Sequence, residues 1–186
     1  MLTLNLNDAW HFRDAAEDKS PQPATVPGCV HTDLLEAGRI PDPWYRDNEK
    51  EIQWVHQRDW ISETLFPITE EVLSKENLLL VFEGLDTFCK VEVNGRTVLE
   101  ADNMHRTWEV PVKKHLRRGE NNLRLTFASP IPYMKKRAKE QHLHAWNLYH
   151  EDFFGKSYVR KMACAFGWDW GQIGRASCRE RVSFTV

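Results

Sequence analysis

No stretch of this sequence approaches the length of an apolar membrane span. Its first residues, Met1-Leu2-Thr3-Leu4-Asn5-Leu6-Asn7-Asp8, contain neither a basic leader nor an apolar run. A secretory signal is therefore not expected there, and a cytoplasmic location is. Cysteine is scarce: Cys29, Cys89, Cys164 and Cys178 are widely spaced and form no Cys-x-x-Cys pair. That spacing speaks against a disulfide scaffold and for free thiols in a reducing compartment. An excess of positive charge is also missing. The net charge of −2 argues against nucleic-acid or anionic-membrane partners, which need a basic patch. No internal repeat or low-complexity run breaks the 186 residues, a length that suits one domain. Tryptophan, by contrast, is abundant. Eight of them predict aromatic walls in a core or a cleft.

Alternation of apolar and polar residues dominates the first two thirds. Leu2, Leu4 and Leu6 read as a half-buried strand, and residues 54–65 read as a long β ribbon. Leu78 to Phe82 is a short apolar run. Val91 and Val93 lead into Asn94-Gly95, and Val98 and Leu99 follow, the pattern of a tight hairpin. Leu123, Leu125 and Phe127 alternate after Gly119-Glu120-Asn121-Asn122, and Tyr158 to Cys164 reads as a late strand. Val81, Phe82, Val91, Val93, Leu123, Leu125 and Phe127 are the expected core. Helical signal is sparse. His31 to Ala37 forms one or two turns with Thr32 as N-cap and Gly38 as stop. Met134 to His142 is either a surface helix or an irregular insertion. Pro41 to Glu51 is too proline-rich for a strand and reads as a long ordered loop. The expected fold class is all-β, a jelly-roll β-sandwich with one or two short helices.

The stretch with the most chemistry is Gly167-Trp168-Asp169-Trp170-Gly171. Indole faces cover the C–H side of a pyranose, and a carboxylate accepts hydrogen bonds from its hydroxyls. The same residues also describe a Trp-rich core strand with a capping aspartate, so context has to decide. Rival sites are weaker. His142-x-His144, with His150, Glu140, Glu151 and Asp152 nearby, has a spacing that binds zinc, but no cysteine joins it and no metal is expected. The basic runs at Lys113-Lys114, Arg117-Arg118 and Lys135-Lys136-Arg137 read as solvated surface. Ser129, Ser157 and Ser177 lack a nucleophile-elbow pattern. No cofactor is implied.

The order of segments resembles the N-terminal sugar-binding domain, galactose-binding-domain-like, of the β-mannosidases of glycoside hydrolase family 2. The segments are Asn7 to Phe12, Val26 to Leu35, Pro41 to Glu49, Gln53 to Val55 with Trp60, Phe82 to Thr87, Val93 to Gly95, Tyr158 to Lys161, and the Trp-Asp-Trp turn. Each is weak alone; the ordered set, from about Leu2 to Gly171, is specific. The resemblance implies a β-sandwich packed beside a catalytic (β/α) barrel, with the Trp-Asp-Trp turn projecting into the barrel's sugar pocket. It implies that Asp169 accepts hydrogen bonds from mannosyl hydroxyls and that Trp168 walls the site. Trp170 is expected to pack inward, and Arg160 to orient the turn or pair with Asp169. Hydrolysis in the family is retaining, with two carboxyl groups about 5–5.5 Å apart, both supplied by the barrel. No catalytic residue is therefore expected in this chain. Asn48-Glu49 resembles the family's acid/base pair but lies in the proline-rich loop, without a barrel strand before it. The expected partners are a β-mannoside oligosaccharide and a C-terminal catalytic domain of the same gene product. A stand-alone carbohydrate-binding sandwich, or a structural domain of another family 2 glycosidase, is the alternative.

Past Gly171 the character changes. Ile173 to Val182 shows no strand period and no helix face, and it resembles one reading frame of a sequencing-adapter oligonucleotide. The expected division is a native domain over 1–172 and a non-native tail over 173–186. Without the tail's three Arg and one Glu, 22 basic residues face 26 acidic ones, and the net charge becomes −4.

Overall fold

The computed structural model of the chain describes residues 3–17, 20–141, 143, 153–166, 178–179 and 182–185. The strands before the first long one are β1 (Thr3–Asn5), β2 (Trp10–Asp14), β3 (Gln22–Ala24) and β4 (Gly28–Cys29). Then come β5 (Trp60–Ile68), β6 (Leu79–Phe82), β7 (Leu85–Asp86), β8 (Phe88–Val93) and β9 (Arg96–Ala101). The series ends with β10 (Trp108–Pro111), β11 (Gly119–Ala128), β12 (Cys178–Arg179) and β13 (Val182–Thr185). A six-stranded sheet runs β3-β2-β5-β11-β8-β9 and a four-stranded sheet runs β1-β13-β6-β10. A small third sheet, β4-β12-β7, lies beside them. Every strand pairing is antiparallel.

The core forms where both large sheets turn their apolar faces to one another. Phe12, Trp60, Phe66, Val91, Leu123 and Leu125 come from the six-stranded sheet; Leu80, Phe82, Val110 and Val182 come from the four-stranded one. On β11 the alternation is clean: Asn121, Leu123, Leu125 and Phe127 are buried, with half-buried residues between them. Burial of each large apolar side chain contributes about 1.5–3 kcal/mol relative to exposure. Of the expected core residues only Val81 is half-buried; the other six are buried. The Asn94-Gly95 hairpin is present. Both turn residues have positive φ, 49° and 75°, as a type I′ connection between β8 and β9 requires.

Several local expectations are corrected. The ribbon expected over 54–65 begins only at Trp60. Gln53–Gln57 is a 3₁₀ turn, whose period of three brings Ile52 and Val55 together into the core; a period-2 template separates them. The late strand expected over 158–164 is instead two 3₁₀ turns, Lys156–Tyr158 and Ala163–Phe166, and between them Arg160 forms an isolated bridge with Asn103. Its apolar residues serve a second, smaller core rather than a sheet. Four α-helices are described where one or two were expected: α1 (Val30–Glu36), α2 (Asn48–Glu51), α3 (Glu70–Ser74) and α4 (Pro130–Glu140). The N-cap of α1 is Cys29, not Thr32. Thr32 lies three residues into the helix and closes a capping box with the Cys29 backbone. The end of α1 is a Schellman arrangement: Arg39 N–H donates to Leu34 C=O (2.8 Å) and Gly38 N–H to Leu35 C=O (2.9 Å).

Within Ile173 to Val182, where no strand period is expected, Cys178–Arg179 is a strand and Val182 opens another, Val182–Thr185. β13 sits between β1 and β6, and Val182 is buried. Val182 and Phe184 do alternate with Ser183 and Thr185, a four-residue signal too short to stand out beside the arginines before it.

Candidate functional site

Several described elements meet around residues 153–166, the segment that precedes Gly167 in the sequence. Ser129 starts α4. Its Oγ accepts from Ile131 N–H and donates to His56 C=O (2.7 Å), and its N–H donates to the Asp59 carboxylate (2.7 Å). These bonds tie α4 to the 3₁₀ turn at Gln53–Gln57. Ser129 is thus a cap rather than a nucleophile. Ile131 and Met134 of α4 then pack with Phe153, Val159 and Phe166 in the second core. His56 faces Phe153 at 5.5 Å between ring centroids, and Phe153 meets Phe166 edge-on at 5.4 Å. The 3₁₀ turn at Gln53–Gln57 and the segment before Gly167 are therefore joined through a row of rings, His56, Phe153 and Phe166, and Ile131 and Met134 of α4 share the cluster that holds the two phenylalanines.

The segment from Val159 to Met162 is held on its other side. Met104 N–H donates to Arg160 C=O (3.1 Å), and Met162 N–H approaches Met104 Sδ at 3.1 Å. Lys161 Nζ forms an ion pair with the Asp86 carboxylate, and both side chains are buried. Thr87 Oγ1 donates to the same carboxylate. The side chain of Arg160 is exposed, so this residue holds the segment through its backbone. In the sequence Lys161 stands only as the last residue of the Tyr158 to Lys161 motif. Its burial has no signal there, because a lysine beside an arginine reads as surface.

Trp168, Asp169 and Trp170 lie outside the described residues, as do His142, His144 and His150. Among the described residues no group of three or more His, Cys, Asp or Glu side chains is placed to hold a metal ion. Glu49 sits half-buried in α2, within the proline-rich loop. In that loop Asp42 accepts from Trp44 N–H and from Asn48 Nδ2, both at 2.9 Å, which leaves Trp44 and Tyr45 exposed. Burial pushes the Cys89 thiol well above its ordinary value, so it is inert as a nucleophile. Lys156 is shifted down by desolvation.

Described residues line two open grooves. One, of about 520 Å³, includes Asn5, Asn7, Glu83 and Ser183; the other, of about 560 Å³, includes His11, Glu63, Leu65 and Asn122. Each lining holds a single carboxylate, and Glu63 is engaged by Arg124. A retaining glycosidase needs two carboxyl groups facing one another, so neither groove is built for that chemistry.

Two antiparallel sheets around an aromatic core, with few helices and an irregular, anchored final segment, define a galactose-binding-like β-sandwich. The chain belongs to the family described as glycosyl hydrolase 2 galactose-binding domain-like, which it matches over residues 10–177. It is 35% identical over 173 residues to β-mannosidase B of Emericella nidulans, covering 90% of this chain and 20% of that protein. It is also 35% identical over 177 residues to the β-mannosidase of Bos taurus, covering 92% of this chain and 20% of that protein. A crystal structure of β-D-mannosidase from Dictyoglomus thermophilum superposes with a TM-score of 0.88 at 39% identity, over 100% of this chain and 22% of that one. An exo-chitosanase from Amycolatopsis orientalis, at 14% identity and a TM-score of 0.70, shares the fold. The chain thus spans about a fifth of the length of the relatives it matches. Among the described residues no helix is long and apolar enough to cross a membrane.

Proposed function

We propose that this chain is the N-terminal sandwich domain of a β-mannosidase that releases terminal, non-reducing β-D-mannose with retention. In this reading the rest of the gene product supplies the barrel and both catalytic carboxyl groups. The sandwich supplies the Trp-Asp-Trp corner: Asp169 accepts hydrogen bonds from mannosyl hydroxyls, Trp168 covers the sugar's apolar face, and Trp170 packs inward. Arg160 is exposed beside the anchored segment, where it serves the corner's orientation.

The observation that carries the proposal is the identity of 35% over 90% of the chain to a protein named β-mannosidase B, of which the chain spans only 20%. The anchoring of residues 159–166 supports it, because a loop that offers side chains to another module needs a rigid root. The reading of residues 173–186 as foreign concerns their genetic origin. Genomic DNA downstream of the Gly171 codon is expected to continue into a barrel rather than into this tail.

The functional test is Asp169→Ala in the full-length gene product. A carboxylate bonded to sugar hydroxyls contributes about 1.5–3 kcal/mol, so kcat/KM on an aryl β-mannoside is expected to fall about 10- to 100-fold. An unchanged kcat/KM makes the corner scaffold rather than site. Millimolar or tighter mannose binding by the isolated chain favours a free-standing binding module instead.

A further inference from the structure

The segment that enters the Trp-Asp-Trp corner contains one ion that is turned into the protein. The side chain of Lys161 is 3% exposed, and so is that of its partner Asp86. The desolvation of two opposite charges is repaid by their attraction only when the geometry is good, so such a pair adds little net stability. What it does provide is a fixed geometry, because either ion left without the other inside the protein is strongly disfavoured. Asp86 ends β7, in the small third sheet, and Lys161 stands six residues before Gly167. The pair therefore joins a strand of the sandwich to the root of the corner. The neighbouring ties act through backbone at Arg160 and Met162 and through apolar packing at Val159 and Phe166. Backbone bonds set the path of this segment, packing sets its depth, and the ion pair limits sliding along either direction.

We infer that the Lys161–Asp86 ion pair is a positioning element for sugar recognition. It sets where Trp168 and Asp169 are offered to the hexose, and neither of its members touches the sugar. The inference rests on the functional reading above, and its test separates the two.

The experiment is the double substitution Lys161→Met/Asp86→Leu in the full-length gene product. Exchanging both charges for apolar side chains leaves no unpaired ion, and the cost is confined to the bond that Thr87 Oγ1 gives to Asp86, so the fold is retained. The expected result is a fall in kcat/KM on an aryl β-mannoside by about 10²-fold, the scale of a misplacement of roughly 1 Å. KM and the inhibition constant of mannose rise with it; a smaller folded fraction lowers kcat alone. A folded double variant with kcat/KM within about twofold of the parent overturns the inference. Should this variant fail to fold, Lys161→Gln/Asp86→Asn, a neutral pair of shorter reach, is judged by the same two results. Asp169→Ala is measured alongside. If Asp169→Ala is impaired and the double variant is not, only the positioning role fails. If neither is impaired, the sugar-binding role of the corner fails as well, and the positioning role with it.

Discussion

Asn121 is completely buried at the head of β11, yet every hydrogen-bonding position of its amide is used. Its Oδ1 accepts from Arg117 N–H (2.9 Å) and Asn94 Nδ2 (2.8 Å). Its Nδ2 donates to the carbonyls of Arg117 (2.8 Å) and Gly119 (2.9 Å). One side chain thus joins the β8–β9 turn to the loop before β11. Asn121→Leu removes all four bonds and with them the tie between the β8–β9 turn and the loop before β11. It is expected to cost about 3 kcal/mol, read as a lower midpoint in urea with an unchanged slope. In the sequence Asn121 stands among Gly, Glu and Asn and reads as loop, because nothing local shows that its amide faces inward.

Cys89 makes a pH argument at the same scale. Burial raises its folded value, while the unfolded thiol ionises near about 8.5. The folded state therefore keeps a proton that the unfolded state loses. This contribution is complete below the unfolded value and is lost as pH rises from about 8.5 toward the folded one, by at most about 1.4 kcal/mol per unit. Melting midpoints between pH 7.5 and 9.5 are expected to fall more steeply in the parent than in Cys89→Ala. Parallel curves remove Cys89 from the account.

At the scale of elements, helices and strands differ in how much of them was legible. The β8–β9 hairpin was readable because Asn-Gly relieves a backbone requirement that few other pairs meet. The alternation of β11 was readable because one of its faces lies on the core. The 3₁₀ turns at Gln53–Gln57 and Ala163–Phe166 were not, since a run of four or five residues has too little period to distinguish itself from a strand. Gly155 shows what the second core demands. A Cβ built there meets Met134 C=O at 2.2 Å, so the returning chain lies against the backbone of α4. Gly155→Ala has no flexible side chain to push aside and is expected to lower stability by about 1–3 kcal/mol, the scale of overpacking in a tight core. A thermal melt checks it, and a parental midpoint means that α4 and residue 155 are farther apart than described.

At the scale of the whole molecule, β13 matters more than its four residues imply. It lies between β1 and β6, and its loss leaves β6 with β10 as its one neighbour in that sheet. Burial of Val182 contributes about 1.5–3 kcal/mol before any strand pairing is counted. A chain ending at Gln172 is expected to melt about 5–10 °C lower than the 186-residue chain, at a few degrees per kcal/mol for this size. Equal midpoints remove β13 from the sandwich. Backbone pairing asks of a strand only that it be extended and unobstructed, so the Val182–Thr185 segment fills this place whatever its genetic origin.

The sequence by itself determined the all-β class, the principal hairpin, most of the core and the family, because alternation, turn chemistry and ordered motifs are local properties of the chain. Tertiary structure alone decided which polar groups go inside: Asn121 with its four bonds, and Lys161 with Asp86, residues 75 positions apart. It also decided that residues 159–166 form an anchored irregular segment rather than a strand. The physical reason is shared. Burial of a charge or an amide is permitted only where partners meet it: Asp86 reaches Lys161 from a distant part of the chain, and Asn94 reaches Asn121 likewise, while Arg117 and Gly119 are near Asn121 in sequence but are turned toward its amide only by the fold.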